Sequence, residues 1–217
     1  VNGMNIDNTQ QKPVAVYLNG EYWGLYWLCE NQNEDFYASK HGTEKENIEM
    51  IKRNSKALSG TRDEILRVRA YARSHDLSNE EYYQEFIQWV DEDSIIDYVI
   101  AQTFVGNGDM FNQKYWRAID YTTGWRLVFY DLDLSLWTKS ASLFSRYFNK
   151  NGWPSANGTL TNMDIPYALL QNDGWREKFI ERYAYLLNTT LSAESVLAVF
   201  DSMLGQIESE MPRHIDR

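Results

Sequence analysis

Asn19-Gly20 lies between two runs that alternate apolar and polar side chains, residues 13–18 and 21–30, and this predicts a β-hairpin. An Asn-Gly pair takes up positive φ at both turn positions with little steric cost, and the alternation puts successive side chains on opposite faces. Gly24 in the return run marks a place where another backbone or a ligand comes close. A third short strand is expected over residues 48–52, with Ile48, Met50 and Lys52 on one face.

Helical signals follow. Thr61-x-x-Glu64 and Ser78-x-x-Glu81 read as capping boxes, opening one charged helix to about Ser74 and another through Phe86 to Val90. Residues 94–104 are apolar nearly all round and predict a buried helix that stops at Gly106. A polar loop leads into a second hairpin, residues 114–120 and 125–130 about a turn at 122–124, which runs straight into Asp131-Leu-Asp133. Residues 140–161 are rich in Ser, Asn and Gly and predict a long loop. Two helices, about 175–187 and 192–211, close the chain. Strands early, helices late and two hairpins imply an α+β fold, not a parallel doubly wound sheet.

Composition narrows the function. The 217 residues, 43% hydrophobic, suit one large domain or a domain with a modest second lobe. A net charge of −10 argues against a nucleic-acid partner, whose binding rests on Lys and Arg at phosphates, and permits a basic protein substrate. No run is long and apolar enough to span a membrane, and the first residues lack the signal-peptide pattern. The chain starts at Val1 instead of Met and is expected to be a piece of something longer. Cys29, the single cysteine, sits in an apolar strand and is expected to be an inert buried thiol. His41, His75 and His214 lack zinc-site spacing, and neither a Walker loop nor G-x-S-x-G occurs. Asn157-Gly-Thr and Asn188-Thr-Thr fit glycosylation sequons. The 15% aromatic content serves core packing or ring faces that stack on a sugar or base.

The chemistry concentrates after the buried helix. A loop carries Asp109 and Asn112, a hairpin follows, and Asp131 and Asp133 stand at its end. Protein kinases use parts in this order: an Asp that takes the hydroxyl proton, an Asn that binds metal, and a second metal-binding Asp. Mg²⁺ prefers a few hard oxygen ligands that leave room for phosphate oxygens. On spacing alone a second reading stays open, with Asp109 and Asn112 forming a turn and Asp131 and Asp133 capping a following helical turn.

Residues 14–30, the pairing of 36–42 with 48–52, the segment 106–117, Gly124-Trp125, residues 130–133, and the tail from Asp173 to His214 resemble, in shared order, the CotH family of spore-coat-type atypical kinases. The resemblance covers nearly the whole chain. It implies an atypical protein-kinase-like fold over residues 1–217, with an N-terminal hairpin sheet and a helical C-terminal part, and further residues upstream of the first hairpin. It implies ATP with Mg²⁺ or Mn²⁺ as cofactors, a protein Ser/Thr hydroxyl as acceptor, and a spore-coat or cell-surface location. Residue by residue, it makes Asp109 the catalytic Asp, Asn112 and Asp131 metal ligands, Asp133 their helper, Lys52 the phosphate-binding Lys and Glu30 its partner. The chain departs from ordinary kinases in that Asn112 follows Asp109 by three residues, not five, and Leu-Asp, not Phe-Gly, comes after Asp131. It also carries Asn33 where members of the family often have Asp. The alternatives outside the kinase class are a carbohydrate-active protein using two of these carboxylates and a non-catalytic surface or coat module.

Overall fold

The computed structural model describes residues 3–53, 56–109, 112–137, 143, 144, 148 and 164–216. The strands are β1 Gln11–Leu18, β2 Glu21–Cys29, β3 Ile48–Lys52, β4 Lys56–Ser59, β5 Lys114–Ala118 and β6 Arg126–Leu127. The α-helices are α1 Glu34–His41, α2 Asp63–Ser74, α3 Glu80–Phe86, α4 Glu92–Val105, α5 Asp164–Leu170, α6 Asp173–Leu187, α7 Ala193–Ile207 and α8 Met211–Ile215. The fold is α+β, as expected, with two small antiparallel sheets. No helix of the described residues is long and apolar enough to cross a membrane.

The first hairpin forms about Asn19-Gly20, both at positive φ, as its turn type requires. Gly24 is buried at φ 132° beside a bulge at Val16/Tyr17. The element that comes close is α8, whose His214 Nδ1 accepts the Leu25 N–H at 3.1 Å. The second sheet has strand order β4-β3-β5-β6, so β3 and β5 are interior. Residues 48–51 of β3 are all buried, because both faces are covered. On one face Tyr37 and Ala38 of α1 pack on Ile48, Met50, Trp116 and Val128, with Tyr37 stacked on Trp116 at 4.4 Å between ring centroids. On the other, Ile51, Tyr115 and Leu127 join the main core with α2–α6. Helix α4 is buried along most of its length, as its composition predicts, and ends at Gly106 in the left-handed conformation.

The buried carboxylates on the two faces of this sheet, Asp7 and Glu49, are each paired with an arginine. Asp7, 3% exposed, accepts from Trp116 Nε1 at 3.2 Å and Arg126 Nε at 3.2 Å, and bonds His41 Nε2 at 2.9 Å. Burial alone pushes the Asp7 carboxyl up, but the His41 hydrogen bond and the Arg126 charge outweigh it and hold it below the usual range. Arg126 continues to Asp91 at 2.5 Å, and Asp91 caps α4 through the Ser94 N–H. On the opposite face of the sheet Glu49 and Arg117 form a second buried pair at 2.7 Å.

Several expectations are corrected. Thr61 caps nothing, because its hydroxyl and N–H both go to Glu49 Oε1, and α2 starts at Asp63 without a side-chain cap. Glu64 turns instead to Arg67 and Tyr121. The cap of α3 is Asn79, not Ser78, since its Oδ1 takes the Glu81 and Tyr82 N–H groups. Cys29 is exposed, because nothing covers that end of the two-stranded sheet among the described residues. The closing helix is broken into α7, whose apolar residues Leu197, Val199 and Phe200 are exposed, and α8. Apart from residues 143, 144 and 148, the loop expected at 140–161 and the Asn157 sequon lie outside the described residues.

Replacing Asp7 by Ala leaves the Arg126 guanidinium half-satisfied in the core and is expected to cost about 3–5 kcal/mol, read as a lower urea midpoint at pH 7. With a folded pKa below the unfolded value of about 3.9, Asp7 contributes fully above that value and loses its contribution as pH falls through the folded one. The gap between parent and Asp7→Ala should therefore close in acid. A gap that persists unchanged below pH 3 would point to lost packing instead of charge.

Candidate active site

Helix α4 delivers the first part of the site. Beyond Gly106 the chain turns through Asn107, which is 1% exposed. Its Oδ1 accepts the Asp109 N–H at 3.0 Å, and its Nδ2 donates to the Asp131 carbonyl at 3.1 Å. The Gly108 N–H adds a bond to the Leu134 carbonyl at 2.9 Å. The loop is also a turn, with the Asn112 N–H donating to the Asp109 carbonyl at 3.0 Å, so turn chemistry and site coexist. Strand β5 begins at Lys114, β6 returns, and the Val128 N–H bonds the Lys114 carbonyl at 3.0 Å, which brings Tyr130 and Asp131 back beside Asn112.

There Asn112 Nδ2 donates to Asp131 Oδ2, and the Tyr130 hydroxyl donates to the Asn112 carbonyl. Asn112 Oδ1 accepts from Arg53 Nε at 3.3 Å, and the Arg53 N–H bonds the Gln113 carbonyl at 2.7 Å. Asp131 holds φ 60°, a left-handed value that is costly for a residue with a Cβ. Its carboxylate goes to Asn112, and the residues after it form a turn, Ser135 N–H to Leu132 carbonyl at 3.1 Å, which the carboxylate does not cap. Asp133 is exposed, with its carbonyl accepting from Trp137 Nε1 at 3.2 Å.

Of the residues singled out from sequence, Asp109, Asn112 and Asp131 are thus brought to one place, with Asp133 on its rim. Lys52 ends β3 directly opposite Lys114, the first residue of β5. Glu30 does not join them: its carboxylate accepts the Gln10 N–H at 2.7 Å, closing the first hairpin, and it enters no ion pair with Lys52 among the described residues. Sequence reasoning missed Asn107, Arg53, Lys114 and Tyr130. Asn107 was readable, since a polar residue just after the left-handed end of a buried helix needs buried partners; the other three depend on strand register.

Charges at the site oppose one another. Burial pushes the Asp109 carboxyl up, the Asp131 charge pushes further, Arg53 draws it back and Asp133 adds to the rise. Burial and then the Asp131 charge raise the Tyr130 hydroxyl, keeping it a neutral donor. Burial and then Lys52 lower the Lys114 ammonium, with Asp131 opposing. Among the described residues no three His, Cys, Asp or Glu side chains gather into a metal cage. A sparse set of hard oxygens, with carboxylates that repel, fits Mg²⁺ or Mn²⁺, because such an ion keeps waters and takes phosphate oxygens as ligands.

The repulsion has a measurable consequence. A carboxyl whose folded pKa lies above its unfolded value destabilises the fold as pH rises through that window. Without divalent ions at pH 7, Asp109→Asn should therefore raise the urea midpoint slightly, because the carboxyl is partly exposed and solvent screens much of the repulsion. The gain should vanish near pH 4. A variant less stable than the parent at pH 7 would make Asp109 a structural residue.

The family model described as CotH kinase protein matches residues 1–217. The chain therefore belongs to the CotH family. No curated protein matches it.

Proposed function

We propose that this member of the CotH family is a metal-dependent phosphotransferase that moves the γ-phosphoryl group of ATP to a protein Ser or Thr hydroxyl. The observation that carries the reading is the meeting of Asn112 and Asp131, 19 residues apart in the chain, through an amide–carboxylate hydrogen bond beside Asp109. Family membership supports the kinase class, and the order of parts matches kinase chemistry.

In this reading Asp131 and Asn112 Oδ1 hold the ion, with Asp133 close by. When bound, Mg²⁺ or Mn²⁺ would supply positive charge against the negative charge that builds up in transfer. Asp109 orients the acceptor hydroxyl and takes its proton as the oxygen bonds to the γ-phosphorus and the bond to the β-phosphate oxygen breaks, releasing ADP. Its raised pKa makes it a better base than an ordinary carboxylate. Lys52 contacts phosphate. The net charge of −10 favours a basic acceptor protein, and a spore-coat or cell-surface location accords with the family.

Transfer of labelled γ-phosphate to an acceptor protein, with Mg²⁺ or Mn²⁺, is the direct test. Asp109→Asn should keep nucleotide binding while transfer falls by roughly two or more orders of magnitude. Asp131→Ala should abolish metal-dependent ATP binding by calorimetry while the fold survives. Lys52→Met should weaken ATP more than adenosine, since only ATP presents phosphates. Unchanged ATP affinity in Asp131→Ala, or transfer at the parent rate in Asp109→Asn, would overturn the assignment. A parent that never responds to ATP with metal would favour a non-catalytic coat module.

A further inference from the structure

Three lysines stand side by side across three neighbouring strands. Lys52 of β3 is the register partner of Lys56 in β4 and of Lys114 in β5. Directly opposed residues of antiparallel strands project from the same face, with Cβ atoms about 4.5–5.5 Å apart, and like charges in such positions are destabilising. A lysine on an edge strand is a known guard against aggregation, which would account for Lys56 on β4. It does not account for Lys52 and Lys114, because β3 and β5 are interior to the sheet. Among the described residues none of the three enters an ion pair, although the chain carries 31 acidic residues to 21 basic ones. The repulsion is thus left without an ion pair to offset it, in a protein with carboxylates to spare.

The row has a definite address. Met50 pairs with Trp116 one pleat further in, on the same face, and α1 covers both. The lysines come just beyond that covered patch. At one end of the row Lys114 Nζ lies 3.9 Å from the centroid of the Tyr130 ring. Tyr130 bonds Asn112, which bonds Asp131. The row therefore runs from the outer edge of the sheet to the candidate active site.

We infer that Lys56, Lys52 and Lys114 form a cradle of three ammonium groups for a polyphosphate chain. Adjacent strands are about 4.8 Å apart, so the backbone row spans on the order of 10 Å, enough to lay separate charges along successive phosphates. One orthophosphate can engage only part of such a row. Lysine suits this task as a mobile point charge that binds phosphate without imposing a planar fork. The inference rests on the phosphotransferase reading only for the identity of the ligand: if the site takes ATP, these lysines hold its triphosphate, and Lys114 steers the γ end toward Asp109 and Asp131. It replaces the Lys52–Glu30 pair with a like-charged set that only a polyanion satisfies.

The test uses inorganic tripolyphosphate, pyrophosphate and orthophosphate in EDTA, with binding to the parent, Lys56→Met, Lys114→Met and Lys114→Arg measured by calorimetry. Affinity should rise with chain length. Each Met substitution should weaken tripolyphosphate about tenfold or more, as loss of a charged hydrogen bond does, and Lys114→Arg should recover most of it. Lys56 is exposed, and its variant serves as the form whose folding is not at issue. Equal affinity for all three anions, or parent-like tripolyphosphate binding in both Met variants, overturns the cradle. The two readings fail separately. Lysine-dependent tripolyphosphate binding without any phosphoryl transfer keeps the cradle and removes the enzyme. Transfer that depends on Asp109 and Asp131 but not on Lys56 or Lys114 keeps the enzyme and removes the cradle.

Discussion

The Asp7 carboxylate draws four parts of the chain to one buried point: the N-terminal segment, His41 at the end of α1, Trp116 on β5 and Arg126 on β6. Arg126 passes the link to Asp91, which caps α4, and to the carbonyl and side chain of Asn5. Alongside runs a backbone exchange, Trp125 N–H to Trp89 carbonyl at 2.8 Å and Asp91 N–H to Trp125 carbonyl at 3.0 Å. The start of α4 is thereby fixed to the sheet by charge and by backbone bonds together. Fourteen residues of α4 carry that position roughly 21 Å to its far end, where Gly106 releases the site loop. The second hairpin carries the other half of the site and is held by the same residues. The elements that carry Asp109 and Asp131 are thus anchored by a network that touches neither, and Asn107 closes the gap between them.

Away from the site the buried carboxylates among the described residues each meet an arginine. Glu49 takes Arg117 and both Thr61 donors, and Asp164 takes Arg69 and Arg73. At the site the pattern reverses. Asp131 sits in a left-handed conformation, Asp109 is pushed toward protonation by burial and by the Asp131 charge, and three lysines oppose one another across the sheet. Each feature costs free energy in the isolated chain. Natural sequences are locally consistent except where function demands otherwise, so the inconsistencies themselves mark the place.

That contrast also explains what the sequence could disclose. Both hairpins were legible because Asn-Gly and the Thr-Thr-Gly turn act within a few residues, and α4 was legible because helices buried all round have few rivals in composition. The order Asp109, Asn112, Asp131 was legible because a hairpin returns the chain to its start. Helix α1 was not, since in its eight residues only Tyr37 and Ala38 are buried, too few for a periodic signal. The Thr61 cap failed to a tertiary competitor, Glu49, invisible to local rules. Cys29 was misjudged because an apolar strand implies burial only when a second layer covers it. The lysine row could not be read at all. It exists only once the register of β3 against both β4 and β5 is known, and no local pattern states that register.

The means by which the two halves of the site are joined bears on what they can do. Asn107 binds Asp109 and Asp131 through their backbones, an N–H in one case and a carbonyl in the other. Arg53 and Tyr130 likewise grip Asn112 and Gln113 through an amide oxygen and main-chain carbonyls. Contacts that leave the Asp109 carboxylate out therefore do the positioning. Had Asp109 been fixed by its carboxylate, as Asp7 is, the oxygens would have been consumed and the charge lost to an internal partner. Only one carboxylate oxygen of Asp131 is occupied, by the Asn112 amide, a donor weak enough for a cation to displace or share. A site held by its backbone keeps its acids free for ligands, at the cost of leaving like charges together until a ligand arrives.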